Sequence, residues 1–301
     1  MSPATTPIDP TLGPPASVRT VRLGAVRYLN TVPLIAGLEK AIGLEIRLEA
    51  PARLIELLAP IQPGQAPQVD LALCSIIDYQ RSAVPLEIAP VGVIACDGPT
   101  RTVRVFSRVP LEQVTVLHAD VESHTSVALA SVVFAEQFGR RLAIKPFAHV
   151  DRPHDAWPDA VLLIGDKTIT HAPPKSSHPY TLDLSTAWRA ITGLPFVYAA
   201  WMCRAGEFDA RPELRTMASL LDRQRRRNCV RVGWSAAQSA ATHGWTPDAA
   251  QDYVANELRY NMDGEARQAV GRFFECAANA GAIAQVKPIH WAGEAELGNA
   301  T

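Results

Sequence analysis

An apolar run, Val21-Arg22-Leu23-Gly24-Ala25-Val26, ends in Tyr28-Leu29-Asn30-Thr31, and Pro33 follows where an α-helix can begin. Asn and Thr are favoured helix caps, and Pro is favoured in the first helical turn. The same unit, a short apolar run passing through polar residues into a helical pattern, recurs along the chain, and no other feature constrains the fold as much. Such alternation is the signal for βαβ units around a largely parallel sheet. In an open α/β sheet, a polar junction at a strand's carboxyl end faces the ligand crevice.

The pattern predicts strands near 21–26, 44–48 and 69–73, with helices near 33–42 and 52–59 between them. Gly43 stands where a C-terminal cap closes the first helix. A proline-rich loop spans 60–67, and a short helix after Ser75 carries Ile77, Asp78 and Tyr79. Two extended segments, 86–95 and 102–108, flank the turn Asp97-Gly98-Pro99. A second series follows, with strands near 114–118, 143–147 and 160–164, and a helix over 126–138 whose Val127, Ala130, Phe134 and Phe138 share one face. Helix 185–192 is closed by Gly193, and 196–203 reads as a strand. Beyond about 211 the chain reads as helical. One helix ends in Arg225-Arg226-Arg227, one starts at Thr246-Pro247-Asp248 and one covers 265–280. The crossings imply an α/β fold of two lobes, residues 19–103 with 203–290 and residues 104–202, around a cleft that closes by hinge motion. Residues 1–18, rich in Pro, Thr and Ala, read as a disordered tail.

At 301 residues the chain is long enough for a sizeable core. Its net charge of −1 supplies no global drive toward nucleic acid or an anionic membrane. The five cysteines are scattered and form no Cys-x-x-Cys pair, which points to a reducing compartment rather than a disulfide framework. No apolar stretch reaches the roughly 20 residues of a membrane span. The first residues lack the basic start and apolar middle of a secretory signal. The expectation is a cytoplasmic protein that binds neither membrane nor nucleic acid.

Nucleotide-loop, nucleophile-elbow and His-Glu-x-x-His patterns are absent. The nearest approach to a metal pair is His149 and His154, and Pro153 between them breaks helical ligand spacing, so a solvated loop is the better account. Arg223 to Arg227 lies at a helix carboxyl end, where cations complement the dipole, and it has no interleaved aromatics. What recurs is a strand ending in Ser, Thr or Asn that runs into a helix, at Asn30-Thr31, at Ser75 and at Thr125-Ser126. Ordinary capping accounts for any one of these. Three at carboxyl ends in both lobes favour a shared pocket for a small dicarboxylate. Neither a cofactor nor a metal is expected.

Further segments carry a family resemblance. Besides Tyr28-Leu29-Asn30-Thr31, the chain has Asp70-Leu71-Ala72-Leu73, then Ser75 with Asp78-Tyr79, and Asp97-Gly98-Pro99-Thr100-Arg101-Thr102 leading into Val105-Phe106-Ser107. Ser123-His124-Thr125-Ser126, Leu163-Ile164-Gly165-Asp166 and Thr192-Gly193-Leu194-Pro195-Phe196-Val197 follow. In order and spacing these resemble the signatures of chorismate dehydratase, of the futalosine route to menaquinone, over residues about 20 to 203. The resemblance implies the two-lobed type II periplasmic-binding-protein-like fold, with chorismate as the small-molecule substrate. It also implies conversion to 3-[(1-carboxyvinyl)oxy]benzoate and water, with the substrate's own enolpyruvyl carboxylate taking the proton. Asn30 would then hold the reacting conformation, and Thr31, Ser75, Gly98, Thr102, Thr125, Ser126 and Asp166 would bind substrate. The chain departs from the family's usual pattern at His124 (Arg), Ile76 (a small polar residue), Asp78 (Glu) and Thr102 (Ser). Two other readings share the fold: a non-catalytic carboxylate-binding protein or sensor, and the sister 1,4-dihydroxy-6-naphthoate synthase.

Overall fold

Two mixed sheets lie side by side in the computed structural model, which describes residues 19–62, 64–148 and 153–293. The tail expected over 1–18, and His149 of the histidine pair, lie outside the described residues. In chain order the strands are β1 (Val21–Val26), β2 (Leu44–Glu49), β3 (Leu71–Ser75), β4 (Leu86–Cys96), β5 (Val103–Ser107) and β6 (Val116–Asp120). They continue as β7 (Ala143–Phe147), β8 (Ala160–Ile164), β9 (Tyr180–Asp183), β10 (Phe196–Arg204) and β11 (Leu258–Arg259). One sheet has the order β11-β4-β10-β3-β1-β2 and the other β7-β6-β8-β5-β9.

The strand positions follow from composition. β3 and β8 are apolar throughout except for Ser75, are buried along their whole length and lie inside their sheets. β2 alternates and lies at an edge. β7 holds Pro146, which cannot donate to a ladder, and is also an edge strand. Along β8, Val161 and Leu163 face a small cluster with Phe106, Phe147 and Trp157, whereas Ala160, Leu162 and Ile164 join the main core.

Pairing is less parallel than the sequence pattern predicts. β1 is parallel to β2 and β3, and β6 to β7 and β8. β10 runs antiparallel to both β3 and β4, and β5 antiparallel to β8 and β9. The antiparallel strands are the ones that carry the chain between sheets. β4 leaves the first sheet at Cys96, β10 re-enters at Phe196, and these two residues are paired, so the connectors run side by side. The short β9 and β11 and the helix Val232–Ser239 have no counterpart in the sequence pattern.

The helix expected over 33–42 is a correction. The chain forms one 3-10 turn, Leu29–Thr31, and a single α-turn, Val32–Ile35, and then bends out of helical geometry at Ala36. Side chains from the helix Pro212–Cys229 take the carbonyls a longer helix would use: Gln224 Nε2 donates to Ala36 O at 2.7 Å, and Asn228 Nδ2 to Ala36 O at 2.9 Å. Gly37, at φ +85°, admits that approach, since a Cβ there would lie 2.8 Å from Gln224 Nε2. Gly43 closes no helix; its carbonyl accepts from the Val21 amide at the start of β1.

Other helix starts match the expected capping chemistry. The Thr246 hydroxyl caps Pro247–Asp252, and the Asp183 carboxylate caps Leu184–Thr192 by accepting from both the Ser185 and Thr186 amides. The helix Pro212–Cys229 packs on β4 and on the turn after β1, and Gly264–Asn279 lies between β10 and the helix Thr125–Phe138. Phe273 meets Trp188 and Phe196 edge-on, and Phe274 stacks on Tyr79.

Candidate functional site

The carboxyl ends of β1, β3, β6 and β8 converge on one cavity between the sheets, as expected for ligand sites in parallel α/β arrangements. Asn30 follows β1, Ser75 ends β3, and Thr125 and Ser126 begin the helix after β6; Thr102 precedes β5, and all five line the cavity. Thr31, Gly98 and Asp166 do not line it. Thr31 is buried behind Asn30, and its hydroxyl donates to Asn30 Oδ1 at 3.3 Å. Gly98 lies in the connector at φ +119°. Both Asp166 oxygens are engaged away from the cavity, Oδ1 by Trp245 Nε1 at 2.8 Å and Oδ2 by His243 Nδ1 at 3.0 Å.

The expectation of three helix-start anion sites also needs correction. Only Thr125–Phe138, at 14 residues, is long enough for an aligned stack of peptide dipoles; the helices after Asn30-Thr31 and Ser75 are four residues each. Side-chain capping is absent at the first junction, where Thr31 makes no cap bond, and at the long helix it comes from Ser123 and not from His124. At the long helix the Ser126 amide donates to Ser123 Oγ at 3.2 Å, and Ser126 lines the cavity. Thr125 is differently committed. Its hydroxyl donates to the Tyr198 carbonyl at 3.1 Å and accepts from the Ile77 amide at 3.3 Å, so its single proton is used in joining the two sheets.

Sequence reasoning passed over the aromatic part of the lining. Tyr28, Tyr198 and Tyr253 all contribute to it. Burial raises each phenol above its ordinary pKa; Glu122 adds to the effect at Tyr28, and Thr102 opposes it at Tyr253. At neutral pH these groups are hydrogen-bonding phenols and not bases. Tyr28 lies within a motif already singled out, yet its role depends on a close approach: a Cβ on Gly165, at φ +62°, would sit 2.8 Å from the Tyr28 ring. Nothing around Tyr253 marks it in the sequence, where an aromatic between Asp252 and Val254 reads as an ordinary core residue.

Polar pairs tie the sheets together around the cavity. The Tyr28 hydroxyl and the Arg27 guanidinium both bond Glu122, which also receives Lys167 Nζ at 3.0 Å. Burial alone would raise the Glu122 carboxyl, but Tyr28 and Lys167 outweigh it and hold it below its usual value. On the other side, His124 Nδ1 meets Asp78 Oδ1 at 2.7 Å. The hydrogen bond to Asp78 raises the His124 pKa against the effect of burial. Among the described residues no group of three or more His, Cys, Asp or Glu side chains is arranged to hold a metal, and no helix is long and apolar enough to cross a membrane.

A family profile described as menaquinone biosynthesis matches residues 21–279, which takes in both sheets and every residue of the cavity lining. The chain belongs to the menaquinone-biosynthesis family. The chorismate dehydratase of Thermus thermophilus is 28% identical to it over 277 residues, covering 86% of this chain and 95% of that protein. The fold of this family member is also that of more distant solved structures. The Candida albicans CA3427 gene product, described as having the generic periplasmic binding protein fold, superposes with a TM-score of 0.64 at 12% identity, over 93% of this chain and 99% of its own. The alkanesulfonate-binding protein SsuA of Xanthomonas axonopodis gives 0.61 at 13% identity, over 91% and 96%. Protein AF1704 of Archaeoglobus fulgidus gives 0.60 at 15% identity, over 89% and 99%. The architecture is therefore the two-lobed periplasmic-binding-protein fold, and the menaquinone-family cavity occupies its interlobe cleft.

Proposed function

We propose that the protein is a chorismate dehydratase, a hydro-lyase that converts chorismate to 3-[(1-carboxyvinyl)oxy]benzoate and water. The observation that carries this reading is the interlobe cavity lined by Asn30, Ser75, Thr102 and Ser126, in a chain whose family makes menaquinone and whose Thermus relative is named for this reaction. The ring carbon bearing the enolpyruvyl ether loses its proton, and the electron pair forms a ring double bond. The neighbouring C–O bond breaks, and the departing hydroxide leaves as water once protonated. Aromatisation supplies the driving force.

Among the described residues the lining offers amides, alcohols and neutral phenols but no Asp, Glu, His or Lys. A base from the substrate itself, its enolpyruvyl carboxylate, suits such a site. The protein then contributes orientation and fixed hydrogen-bond donors. Asn30 holds the reacting conformation, because an amide can donate and accept but cannot titrate. Ser75, Thr102 and Ser126 engage carboxylate oxygens, with Ser126 at the amino end of the 14-residue helix. In this reading Thr125 serves mainly to close the lobes, taken as 19–103 with 203–290 and 104–202, and the enzyme works in the cytoplasm. Incubating purified protein with chorismate and following the aromatic product by absorbance and mass tests the proposal. Unchanged chorismate after exhaustive incubation would reject it in favour of a carboxylate-binding protein of the same fold.

A further inference from the structure

Three donors on the side of the first sheet converge on one residue beside the second. The Arg27 guanidinium donates to Glu122 Oε1, the Tyr28 hydroxyl donates to Glu122 Oε2, and the Ala52 amide donates to the Glu122 carbonyl at 3.2 Å. Arg27 and Tyr28 follow β1, and Ala52 lies in the first turn of the helix Pro51–Leu58 after β2, whereas Glu122 follows β6. Side chain and main chain of Glu122 are thus both held from across the cleft.

These bonds stand at the edge of the cavity. Tyr28 and Pro51 line it from the first-sheet side, and Ser123, next to Glu122, lines it from the other. The Tyr28 ring packs directly on Gly165, which follows β8. Tyr28 is 8% exposed, whereas the Glu122 and Arg27 side chains are 22% and 48% exposed, so the row passes from the lining to solvent within a few side chains.

Glu122 has its own support on the second-sheet side. Lys167 Nζ lies 3.0 Å from Glu122 Oε2 and 2.5 Å from Asp120 Oδ2, and the Glu122 amide donates to Asp120 Oδ1 at 3.0 Å. Asp120 ends β6 and Lys167 follows β8, so this group stays together when the two sides part. Glu122 then keeps a counter-charge, and Arg27, already half exposed, is hydrated. Parting therefore leaves no buried, uncompensated charge, the outcome that makes breaking a buried ion pair costly.

Hinged clefts ordinarily shut around their ligand. Here the bonds that shut one side are all between protein groups. From this geometry we infer that Glu122 is a gate residue: its bonds to Arg27, Tyr28 and Ala52 hold the cavity closed at rest, and a ligand enters and leaves between Tyr28 and Glu122 when they part. Tyr28 is both a wall of the cavity and a partner in the gate, and Asn30 follows two residues later, so opening also moves the segment that carries the proposed reacting residue.

Pulsed electron-spin resonance on unliganded protein tests the gate without reference to any reaction. Glu39→Cys, beyond the turn after β1, and Lys145→Cys, in β7, place spin labels at exposed positions on the two sides. Cys229→Ser removes the one cysteine that is not buried. Wild type should show mainly the separation of the closed structure. Glu122→Ala and Arg27→Gln should each raise the population at longer separation, by about two- to fivefold for Arg27→Gln, the factor a part-exposed ion pair is worth. Arg27→Gln leaves Glu122, Lys167 and Asp120 together, so it decides the matter even where Glu122→Ala fails to fold. A distribution in Arg27→Gln identical to wild type overturns the inference, and so does a wild type that lacks the short separation. The second part of the test rests on the dehydratase reading. With chorismate as the probe, the association rate, followed by stopped-flow tryptophan fluorescence, should rise with the open population. An unchanged rate beside a raised open population places ligand passage elsewhere and overturns the inference. If wild type neither binds nor turns over chorismate, the dehydratase reading fails and the spin-label separations alone decide the gate.

Discussion

Replacing His124 by Ala should destabilise the protein in a pH-dependent way. Asp78 is 2% exposed and one of its oxygens is buried without a hydrogen-bond partner, so its carboxylate depends on the His124 imidazolium. Arg81 and Glu56 are the other charged groups that act on His124. A hydrogen bond to a charged group is worth about 1.5–3 kcal/mol. The His124 side chain is 35% exposed, so solvent screening places its loss nearer about 1–2 kcal/mol. For a chain of this size that corresponds to a fall in Tm of about 2–4 °C. His124 has a raised folded pKa, so its stabilisation is complete below its ordinary value of 6.5 and is lost as pH rises through the folded value. Burial raises Asp78 as well, so on both counts the folded state binds protons more tightly and loses stability as pH rises. Thermal scans of wild type and His124→Ala from about pH 6 to about pH 9 should show a Tm gap that narrows toward the alkaline end. His124→Arg, whose charge does not titrate in this range, should show no such trend. A gap that is constant with pH, or absent throughout, would refute the ion-pair account.

Three further outcomes follow from the site. Ser126→Ala should raise KM at a cost of about 1–3 kcal/mol with little change in Tm, while Thr125→Ala should chiefly lower Tm, because its hydroxyl joins the Tyr198 carbonyl to the Ile77 amide; equal kinetic effects from both would contradict this division. Asn30→Ser should sharply lower kcat at nearly unchanged stability, and Asn30→Asp should be worse because its charge opposes the substrate carboxylate; normal turnover in both would remove Asn30 from the reaction. Activity should survive exhaustive chelation and dialysis, and recovery only on adding a divalent metal would overturn a mechanism built on orientation and hydrogen bonding.

Much of the architecture is local and therefore legible along the chain. β3 and β8 declare themselves as unbroken apolar runs, Thr246-Pro247 marks a helix start, and Gly193 ends a helix at φ +69°. The residues at the junctions are legible for the same reason: Asn30, Ser75, Thr125 and Ser126 each lie at or just after a strand's carboxyl end, and sheets of this kind bring such ends together, whereas Thr102 was indicated only by the family resemblance. Helix length after Asn30 is not local. It is cut short by Gln224 and Asn228, side chains 188 and 192 residues further along the chain that compete for the Ala36 carbonyl. What each hydroxyl does is likewise decided in three dimensions. Thr125 and Ser126 are adjacent and chemically alike, yet one spends its proton on a carbonyl of the other sheet and the other faces the cavity. Asp166 sits in a recognisable segment but turns to Trp245 and His243, and Tyr253 lines the cavity from a segment far along the chain, its hydroxyl on Thr102 and its ring stacked on Trp245. Periodicity and capping record each residue's relation to its neighbours in sequence, and they specified the strands and the polar ends that face the cleft. Hydrogen-bond partners across the cleft depend on which distant groups arrive with a free donor or acceptor, and only the packed fold determines that.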